Sequence, residues 1–492
     1  MVSEQASAIT STSGAALFVK LSIFTIVFFA LVGFEPNVRA AIPQRAGDTA
    51  LSSIRRSDAA ARDAGGKLLK QSVAEHMRRA SVYMVNRAFA EAREHWQAVI
   101  NYYPEDPRVP EALLGIGRSY FQSRGYQDAF VVFDRLARDF PSVKEGREGL
   151  NYSAASLLRL GRFDEAVSRY IDYINRYPTG ERIETAHLNV IDTLREANRP
   201  DEALTWIVKT KQRFEGTATE TNAVFAKLRL HISERQWAAA IAMADQMRTM
   251  SFQKGTVTTA AEVAYLRAFS LEQSGKKAEA FSSYASIPEG LNSYYGGLAT
   301  ERMRALADDP SSRSIVAQRL ENLTSSAAAV DADYPAPYTQ SILRTARAKK
   351  LDPRFVLALM KQESVFRPTA KSQSGARGLL QLTMDAAEKY APGAGLTGLQ
   401  EYQLYQPDAS IKLGVEYLAQ LSKMFPQMPD AVAASYNGGE DNVARWVKRA
   451  GNKDPGVFTA EVGFDETKAY VQKVMANYRV YKQLYTIDLA RR

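Results

Sequence analysis

The sequence predicts an all-α protein built from two parts, a helical-repeat solenoid followed by a second helical domain. Residues from about 76 to 285 repeat a pattern with a step of 37 residues. From about 341 to 492, apolar residues at helical spacing alternate with glycine-containing turns. The alternation of apolar and polar residues that indicates a half-buried strand is absent from this second part.

Small and aromatic residues define the repeat. Alanine recurs at one place in five successive units: Ala92, Ala129, Ala166, Ala203 and Ala240. Aromatic residues recur with the same step at Tyr103, Phe140, Tyr177 and Phe214, and proline follows the first three. The small alanine allows close helix contact, and proline ends the second helix of each pair. This period predicts an α-solenoid that resembles tetratricopeptide repeats, a scaffold able to hold a protein partner.

The remaining segments set the expected domain boundaries. We expect a cleaved signal peptide over residues 1–40, because Lys20 precedes an apolar run that ends near small residues. A membrane anchor is the alternative, but the 14-residue run from Leu21 to Phe34 is shorter than the roughly 20 residues that span a bilayer. We expect a tether or irregular segment over 41–75, the solenoid over 76–285, a linker over 286–340 and the second domain over 341–492.

Composition excludes several kinds of chemistry. The 492 residues include no cysteine and four histidines, none of them in the second domain. Thiolate catalysis, disulfides and histidine-rich metal sites are therefore excluded there, and we expect neither a metal nor a cofactor. The net charge of +9 suits an anionic partner, although a solvated basic surface would give the same count.

Glu363 is the residue in the second domain that most resembles a catalytic group. Asp352 and Pro353 are typical of a helix start, and Val356, Leu359 and Met360 form an apolar stripe after them. Glu363 continues that stripe at the next turn, so its carboxylate points toward the core. Burial raises the pKa of a carboxyl group, which suits a general acid near neutral pH. A partly exposed or ion-paired glutamate is the alternative.

Two later segments add polar groups at glycine-rich turns. Gly375 and Gly378 precede an apolar run that contains the amide of Gln381. Buried amides need hydrogen-bonding partners, and sugar hydroxyls or acetamides can serve. An alanine-rich helix then ends at Tyr436 and Asn437, before two further glycines. Each signal is weak when taken alone.

Taken in order, the segments "ALMKQESVFRPTAKSQSGARGLLQLT", "AASYNGG" and "FDETKAYVQKVMANY" resemble the soluble lytic transglycosylases. This family has a lysozyme-like catalytic domain behind an α-superhelical arm. The resemblance implies that Glu363 is the catalytic acid/base. It implies substrate-binding roles for the remaining matched residues: Ser364, Gln381, Tyr436, Asn437 and Tyr470.

One departure from the family pattern concerns a glutamate near Phe464. The family commonly has this glutamate at the position of Ala460, whereas the present chain has Glu461 one place later. Either the loop shifts and Glu461 contacts the sugar, or that contact is missing. Glu461 is therefore a further candidate for substrate binding.

The resemblance implies cleavage of the bond between N-acetylmuramic acid and N-acetylglucosamine in peptidoglycan, with formation of a 1,6-anhydro sugar. A lysozyme-type hydrolase is the nearest alternative, and its second carboxylate would be Asp385 or Glu388. A tetratricopeptide adaptor that only binds glycan is the alternative from another class. The predicted signal peptide implies export to the periplasm, and we expect at most peripheral membrane contact. We expect no nucleic-acid partner, because no binding motif accompanies the positive charge.

Overall fold

The computed structural model describes residues 46–451 and 453–492, and within these ranges the chain is helical with no β-strand. The predicted all-α class is confirmed. The order of elements also follows the prediction, with paired helices first and a second helical domain last. The predicted signal peptide over 1–40 lies outside the described residues. Among the described helices, none is both long and apolar enough to cross a membrane.

Antiparallel helix pairs build the solenoid. Its helices are α1 Ala46–Ala60, α2 Val73–Val85, α3 Phe89–Tyr102, α4 Val109–Gln122, α5 Tyr126–Asp139, α6 Lys144–Arg159, α7 Phe163–Arg176, α8 Ile183–Glu196, α9 Pro200–Arg213, α10 Ala218–Ser233, α11 Trp237–Met247, α12 Ala260–Gln273 and α13 Lys277–Ala285. The pairs run from α2 with α3 to α12 with α13, and α1 precedes them. The second helices of the first five pairs begin 37 residues apart, as the repeat predicts. The five repeated alanines are all fully buried, which agrees with their predicted place at close helix contacts.

A left-handed residue makes the turn inside each of the first five pairs. These residues are Arg87, Arg124, Gly161, Asn198 and Arg235, each with a φ between 56° and 72°. They recur at the same 37-residue step. The turns therefore have one backbone geometry, although their side chains differ.

Residues 46–60, where we expected a tether, form α1 instead. Leu51 and Ile54 are buried against α2 and α3. Asp58, one turn further along the same face, accepts a hydrogen bond of 2.5 Å from the hydroxyl of Tyr83. The spacing of these three residues gives α1 one face that packs on the first repeat.

The segment over 286–340, expected as a linker, holds α14 (Tyr294–Leu306) and α15 (Pro310–Ala329). The hydroxyl of Tyr294 donates to Asp430 at 2.6 Å, and that of Tyr295 donates to Glu262 at 2.8 Å. These buried hydrogen bonds tie the segment to the second domain on one side and to the solenoid on the other. It is thus a packed connection between the two parts.

The second domain consists of eight helices within the described residues. They are α16 Thr339–Ala348, α17 Pro353–Ser364, α18 Met384–Tyr390, α19 Pro407–Met424, α20 Pro429–Gly438, α21 Glu440–Ala450, α22 Pro455–Glu461 and α23 Asp465–Leu484. Helix α17 packs on α23, and α20 packs on the same helix. This arrangement brings together the segments that carry the predicted site.

The solenoid contacts the second domain along most of its length. At the first repeat Arg87 pairs with Asp385, and at the second Arg124 pairs with Glu440. Further along, Glu196 at the end of α8 pairs with Arg445 at 2.7 Å. The contacts come from the end of the first helix in each of these pairs and from the turn that follows it. These parts of the solenoid therefore hold the domain that carries the site.

Candidate active site

Helix α17 places Glu363 beside a buried core. The side chain of Asp352 caps the helix by accepting a hydrogen bond of 2.9 Å from the backbone N–H of Arg354. Val356, Leu359 and Met360 are fully buried, and Glu363 continues their stripe as a half-buried side chain. The helix ends at the next turn, where Val365 adopts a left-handed conformation with φ 49°.

The carboxyl group of Glu363 receives a hydrogen bond from α23. The hydroxyl of Tyr470 donates to Oε1 of Glu363 at 2.6 Å. Burial raises the pKa of Glu363 to about 7, against the lowering effect of this hydrogen bond and with a small rise from the charge of Glu466. The same burial, together with the nearby carboxylate, raises the pKa of Tyr470 well above its usual value, so Tyr470 stays protonated.

A hairpin-like loop over residues 370–382 forms the next part of the site. Gly375 and Gly378 have φ values of 77° and 78°, which glycine adopts without strain. A Cβ at Gly378 would lie 1.9 Å from the carbonyl oxygen of Leu404, so glycine permits this close approach of the two backbone segments. The loop folds back so that Gln381 is half-buried, with its Nε2 donating to the carbonyl oxygens of Ala370 and Gly378.

Ser364 is placed differently from its implied role in substrate binding. Its side chain is buried, and its hydroxyl donates to the carbonyl oxygen of Leu379 at 2.8 Å. This contact joins the end of α17 to the 370–382 loop. In the structure Ser364 is therefore a residue that fixes the loop, and its hydroxyl does not face solvent.

Tyr436 and Asn437 stand at the end of α20, opposite the loop. The hydroxyl of Tyr436 donates to the carbonyl oxygen of Leu380 at 2.7 Å. The exposed Asn437 accepts a hydrogen bond of 2.6 Å from the hydroxyl of Thr467 on α23. Thr467 was not among the predicted residues, although it precedes Tyr470 by three positions and so shares a helix face with it.

Glu461 is not part of this site, and its predicted contact with sugar is contradicted by its surroundings. It is 2% exposed and lies among three arginines from both parts of the protein. Arg195 of α8 approaches it at 2.5 Å, Arg229 of α10 at 3.3 Å and Arg449 of α21 at 3.2 Å. Burial alone would raise the pKa of Glu461, but the three guanidinium groups lower it to about 2. Its role is to hold the solenoid on the second domain.

The carboxylates that a hydrolase would need do not converge on Glu363. Asp385 forms a double hydrogen bond with Arg87 of the solenoid, and Glu388 is exposed on α18. The carboxylate that affects the pKa of Glu363 is the exposed Glu466, one turn before Tyr470. In the described part of the chain, no group of three or more histidine, aspartate or glutamate side chains is arranged to hold a metal ion.

One of the predicted residues, Tyr470, contacts the carboxyl group of Glu363 directly. Gln381 and Tyr436 both donate to the backbone of the 370–382 loop, and Asn437 accepts a hydrogen bond from Thr467, which lies on the same helix as Tyr470. A carboxyl group with a pKa of about 7 can both donate and accept a proton near neutral pH. The fold and the site together define a helical-repeat protein whose second helical domain carries a carboxyl group suited to acid/base chemistry.

Comparison with known families agrees with this class. Residues 340–458 match the model of the transglycosylase SLT domain, and residues 77–143 match that of the tetratricopeptide repeat. The second part of the chain therefore contains a transglycosylase SLT domain, and the solenoid contains a tetratricopeptide repeat, as the sequence resemblance implied.

The curated relatives include proteins named as soluble lytic murein transglycosylases. A Haemophilus influenzae protein named as a soluble lytic murein transglycosylase is 32% identical over 216 residues, or 41% of this chain and 36% of that protein. The soluble lytic murein transglycosylase of Escherichia coli K12 is 29% identical over 157 residues, or 32% of this chain and 24% of that protein. The matched regions thus span between about a quarter and just over a third of these relatives.

Two of the solved structures that align with the chain are transglycosylases. The lytic transglycosylase Slt of Pseudomonas aeruginosa aligns over 89% of this chain and 86% of its own, with 17% identity and a TM-score of 0.49. The 70 kDa soluble lytic transglycosylase of Escherichia coli aligns over 91% and 88%, with 17% identity and a TM-score of 0.48.

Proposed function

We propose that the protein is a lytic transglycosylase that cleaves peptidoglycan glycan strands between N-acetylmuramic acid and N-acetylglucosamine. The observation that carries the proposal is the half-buried Glu363, whose pKa of about 7 is set by burial and whose Oε1 accepts a hydrogen bond from Tyr470. The SLT domain over residues 340–458 supports the same activity. The reaction produces a 1,6-anhydromuramyl end and a free N-acetylglucosamine end.

In the first step Glu363 acts as general acid. Its protonated carboxyl group donates a proton to the glycosidic oxygen, and the bond from that oxygen to C1 of the muramyl residue breaks. The acetamide group of the same sugar stabilises the developing positive charge at C1, as in other substrate-assisted glycosidases. A carboxyl group that is protonated at neutral pH is required at this point, and burial provides it.

In the second step the deprotonated Glu363 acts as general base. It accepts the proton of the muramyl C6 hydroxyl, whose oxygen attacks C1 and closes the anhydro ring. The proton lost in the first step is thereby regained, and no external water is consumed. Because the nucleophile belongs to the substrate, its attack is intramolecular and needs no second carboxylate to position water.

The surrounding residues orient the carboxyl group and the sugar. Tyr470 holds Oε1 of Glu363, which leaves Oε2 available to the glycosidic oxygen. Gln381 uses its Nε2 on the loop backbone, so its Oε1 is the atom that can accept a hydrogen bond from the substrate. The exposed Asn437 offers its amide N–H groups, since its oxygen already accepts from Thr467.

Substitution of the acid/base residue tests the proposal. Glu363→Gln keeps the shape of the side chain but removes its titration, so we expect turnover of purified sacculi to fall by at least about a hundred-fold. Binding of the glycan should persist. Glu321→Gln, at an exposed position of α15, is the matched control and should keep full turnover. An adaptor without catalytic activity would show no turnover in either protein, and that result would reject the proposal.

We also propose that the chain is exported to the periplasm, where its substrate lies. The predicted signal peptide and the net charge of +9, which suits an anionic polymer, support this location. A protein partner on the solenoid stays a prediction. The turns inside the first repeats are occupied by the SLT domain, so such a partner would bind another face of the solenoid.

A further inference from the structure

The turn between α2 and α3, together with Val85 at the end of α2, touches the SLT domain beside the site. Nε and Nη2 of Arg87 donate to the two carboxylate oxygens of Asp385 at 2.9 Å and 2.8 Å. Burial would raise the pKa of Asp385, but this pairing lowers it. Asp385 lies in the first turn of α18, directly after the 370–382 loop. The contact therefore joins the first repeat to the end of the loop that carries Gln381.

Two further contacts join the same turn to the loop itself. Nζ of Lys371 donates to Oδ1 of Asn86 at 3.2 Å. Gly375, at the tip of the loop, lies so close to the turn that an added Cβ would be 3.1 Å from the carbonyl oxygen of Val85. The turn thus meets the loop at its beginning and tip, and Arg87 fixes the helix that follows it.

The loop transmits this contact to the site through a rigid interior. The side chain of Arg377 is 1% exposed and donates to Glu401 at 2.6 Å. Its backbone exchanges two hydrogen bonds with Leu382, at 2.9 Å and 3.1 Å. Between these anchors lie Leu380, whose carbonyl oxygen accepts from Tyr436, and Gln381. A displacement at the tip would therefore move groups beside Glu363.

We infer that Arg87 is a positioning residue for the proposed reaction, and that the first solenoid repeat is a structural part of the active site. This inference rests on the proposed function in its kinetic part only. Arg87 precedes Asp385 by 298 residues, so the contact exists only when the whole solenoid folds back on the domain. The solenoid then acts on catalysis by holding the 370–382 loop.

The repeat supplies a matched control for Arg87. Arg235 occupies the same turn position four repeats later, with φ 56° against 61° for Arg87. Its side chain is exposed, and it forms no ion pair with any described residue. Arg235→Glu therefore makes the same substitution in the same backbone geometry, away from the SLT domain.

The experiment compares Arg87→Glu, Arg87→Glu with Asp385→Arg, and Arg235→Glu in the full chain. Hydrogen exchange of the loop amides is measured first, because it does not depend on activity. Arg87→Glu should speed exchange at the Arg377 and Leu382 amides by roughly five-fold, which is the effect expected from the loss of one partly exposed ion pair. The double reversal should restore protection, since it rebuilds the pair with opposite polarity.

Kinetics on sacculi then test the link to catalysis. Arg87→Glu should lower kcat on the order of ten-fold with a smaller change in KM, because a misplaced loop costs orientation more than binding. The double reversal should recover kcat, and Arg235→Glu should match the parent. If Arg87→Glu leaves both exchange and kcat at the level of Arg235→Glu, the inference is overturned. If the parent protein itself releases no product, the proposed function fails, while loop exchange still decides whether Arg87 holds the loop.

Discussion

The hydroxyl of Tyr470 donates a hydrogen bond of 2.6 Å to Oε1 of Glu363. The two residues lie 107 positions apart, on helices α23 and α17, which pack directly on each other. The hydrogen bond favours the ionised carboxylate, whereas burial favours the protonated form. The balance places the pKa of Glu363 at about 7, where one group can act first as acid and then as base.

Tyr470→Phe should raise the pKa of Glu363 further, because it removes the interaction that stabilises the carboxylate. The alkaline limb of the profile of kcat/KM against pH should therefore move to higher pH. We also expect kcat at its optimum to fall by about ten-fold, since the carboxyl group loses its orientation. Tyr126→Phe in the solenoid is the control. A limb that stays in place or moves to lower pH would contradict the role given to Tyr470.

Glu466→Gln should shift the same limb in the opposite direction. The negative charge of Glu466 raises the pKa of Glu363, so its removal lets Glu363 ionise at lower pH. Because Glu466 is exposed, water and salt weaken the interaction, and we expect a shift of only a few tenths of a pH unit. Glu388→Gln should leave the profile and the turnover unchanged. Loss of turnover in Glu388→Gln would instead favour a hydrolase with a second carboxylate.

Glu363→Gln should change stability in a way that depends on pH. The pKa of Glu363 is about 7 in the folded protein and 4.5 in a free side chain. Its protonated form therefore stabilises the fold fully below about pH 4.5, and this contribution is lost as the pH rises through 7. Glutamine does not titrate. The free energy of unfolding of the variant should therefore rise by about 2 kcal/mol relative to that of the parent between pH 5 and pH 8. Urea unfolding at pH 5 and pH 8 measures this change. An equal difference in the free energy of unfolding between variant and parent at both pH values would refute it.

Glu461→Gln should destabilise the protein by about 3 kcal/mol, because it leaves three buried arginines short of negative charge. The pKa of Glu461 is about 2, so its stabilising effect is present above about pH 4.5 and disappears as the pH falls toward 2. Urea unfolding measures the loss, with the exposed Glu165→Gln as control. At a temperature where the variant is folded, its KM for glycan should match the parent. A raised KM without loss of stability would restore Glu461 as a sugar contact.

Much of the fold and the centre of the site could be predicted from local patterns. The 37-residue step predicted the spacing of the paired helices, because the repeated alanines lie at helix contacts. The apolar stripe ending at Glu363 likewise placed its carboxyl group at the edge of the core. Both signals depend on residues within a few turns of one another.

The structure places two predicted sugar-binding residues, Glu461 and Ser364, away from that role. The reasons are a contact between distant parts of the chain for Glu461 and the direction of neighbouring helical side chains for Ser364. Glu461 looked like a displaced sugar contact because its partners Arg195 and Arg229 lie more than 200 residues away. Ser364 follows Glu363 directly, but successive helical residues point about 100° apart. Its hydroxyl therefore faces the 370–382 loop while Glu363 faces Tyr470. The arginines around Glu461 have no signature in the spacing of residues, whereas helical spacing alone separates Ser364 from the face of Glu363.

Product analysis of digested sacculi tests the central claim most directly. If Glu363 works without a second carboxylate and the muramyl C6 hydroxyl is the nucleophile, mass spectrometry should find 1,6-anhydromuramyl ends, which are one water lighter than reducing ends. Digestion in water enriched in ¹⁸O should leave these products unlabelled. Reducing muramyl ends that carry the heavy oxygen would show that water attacks C1, and would contradict the account.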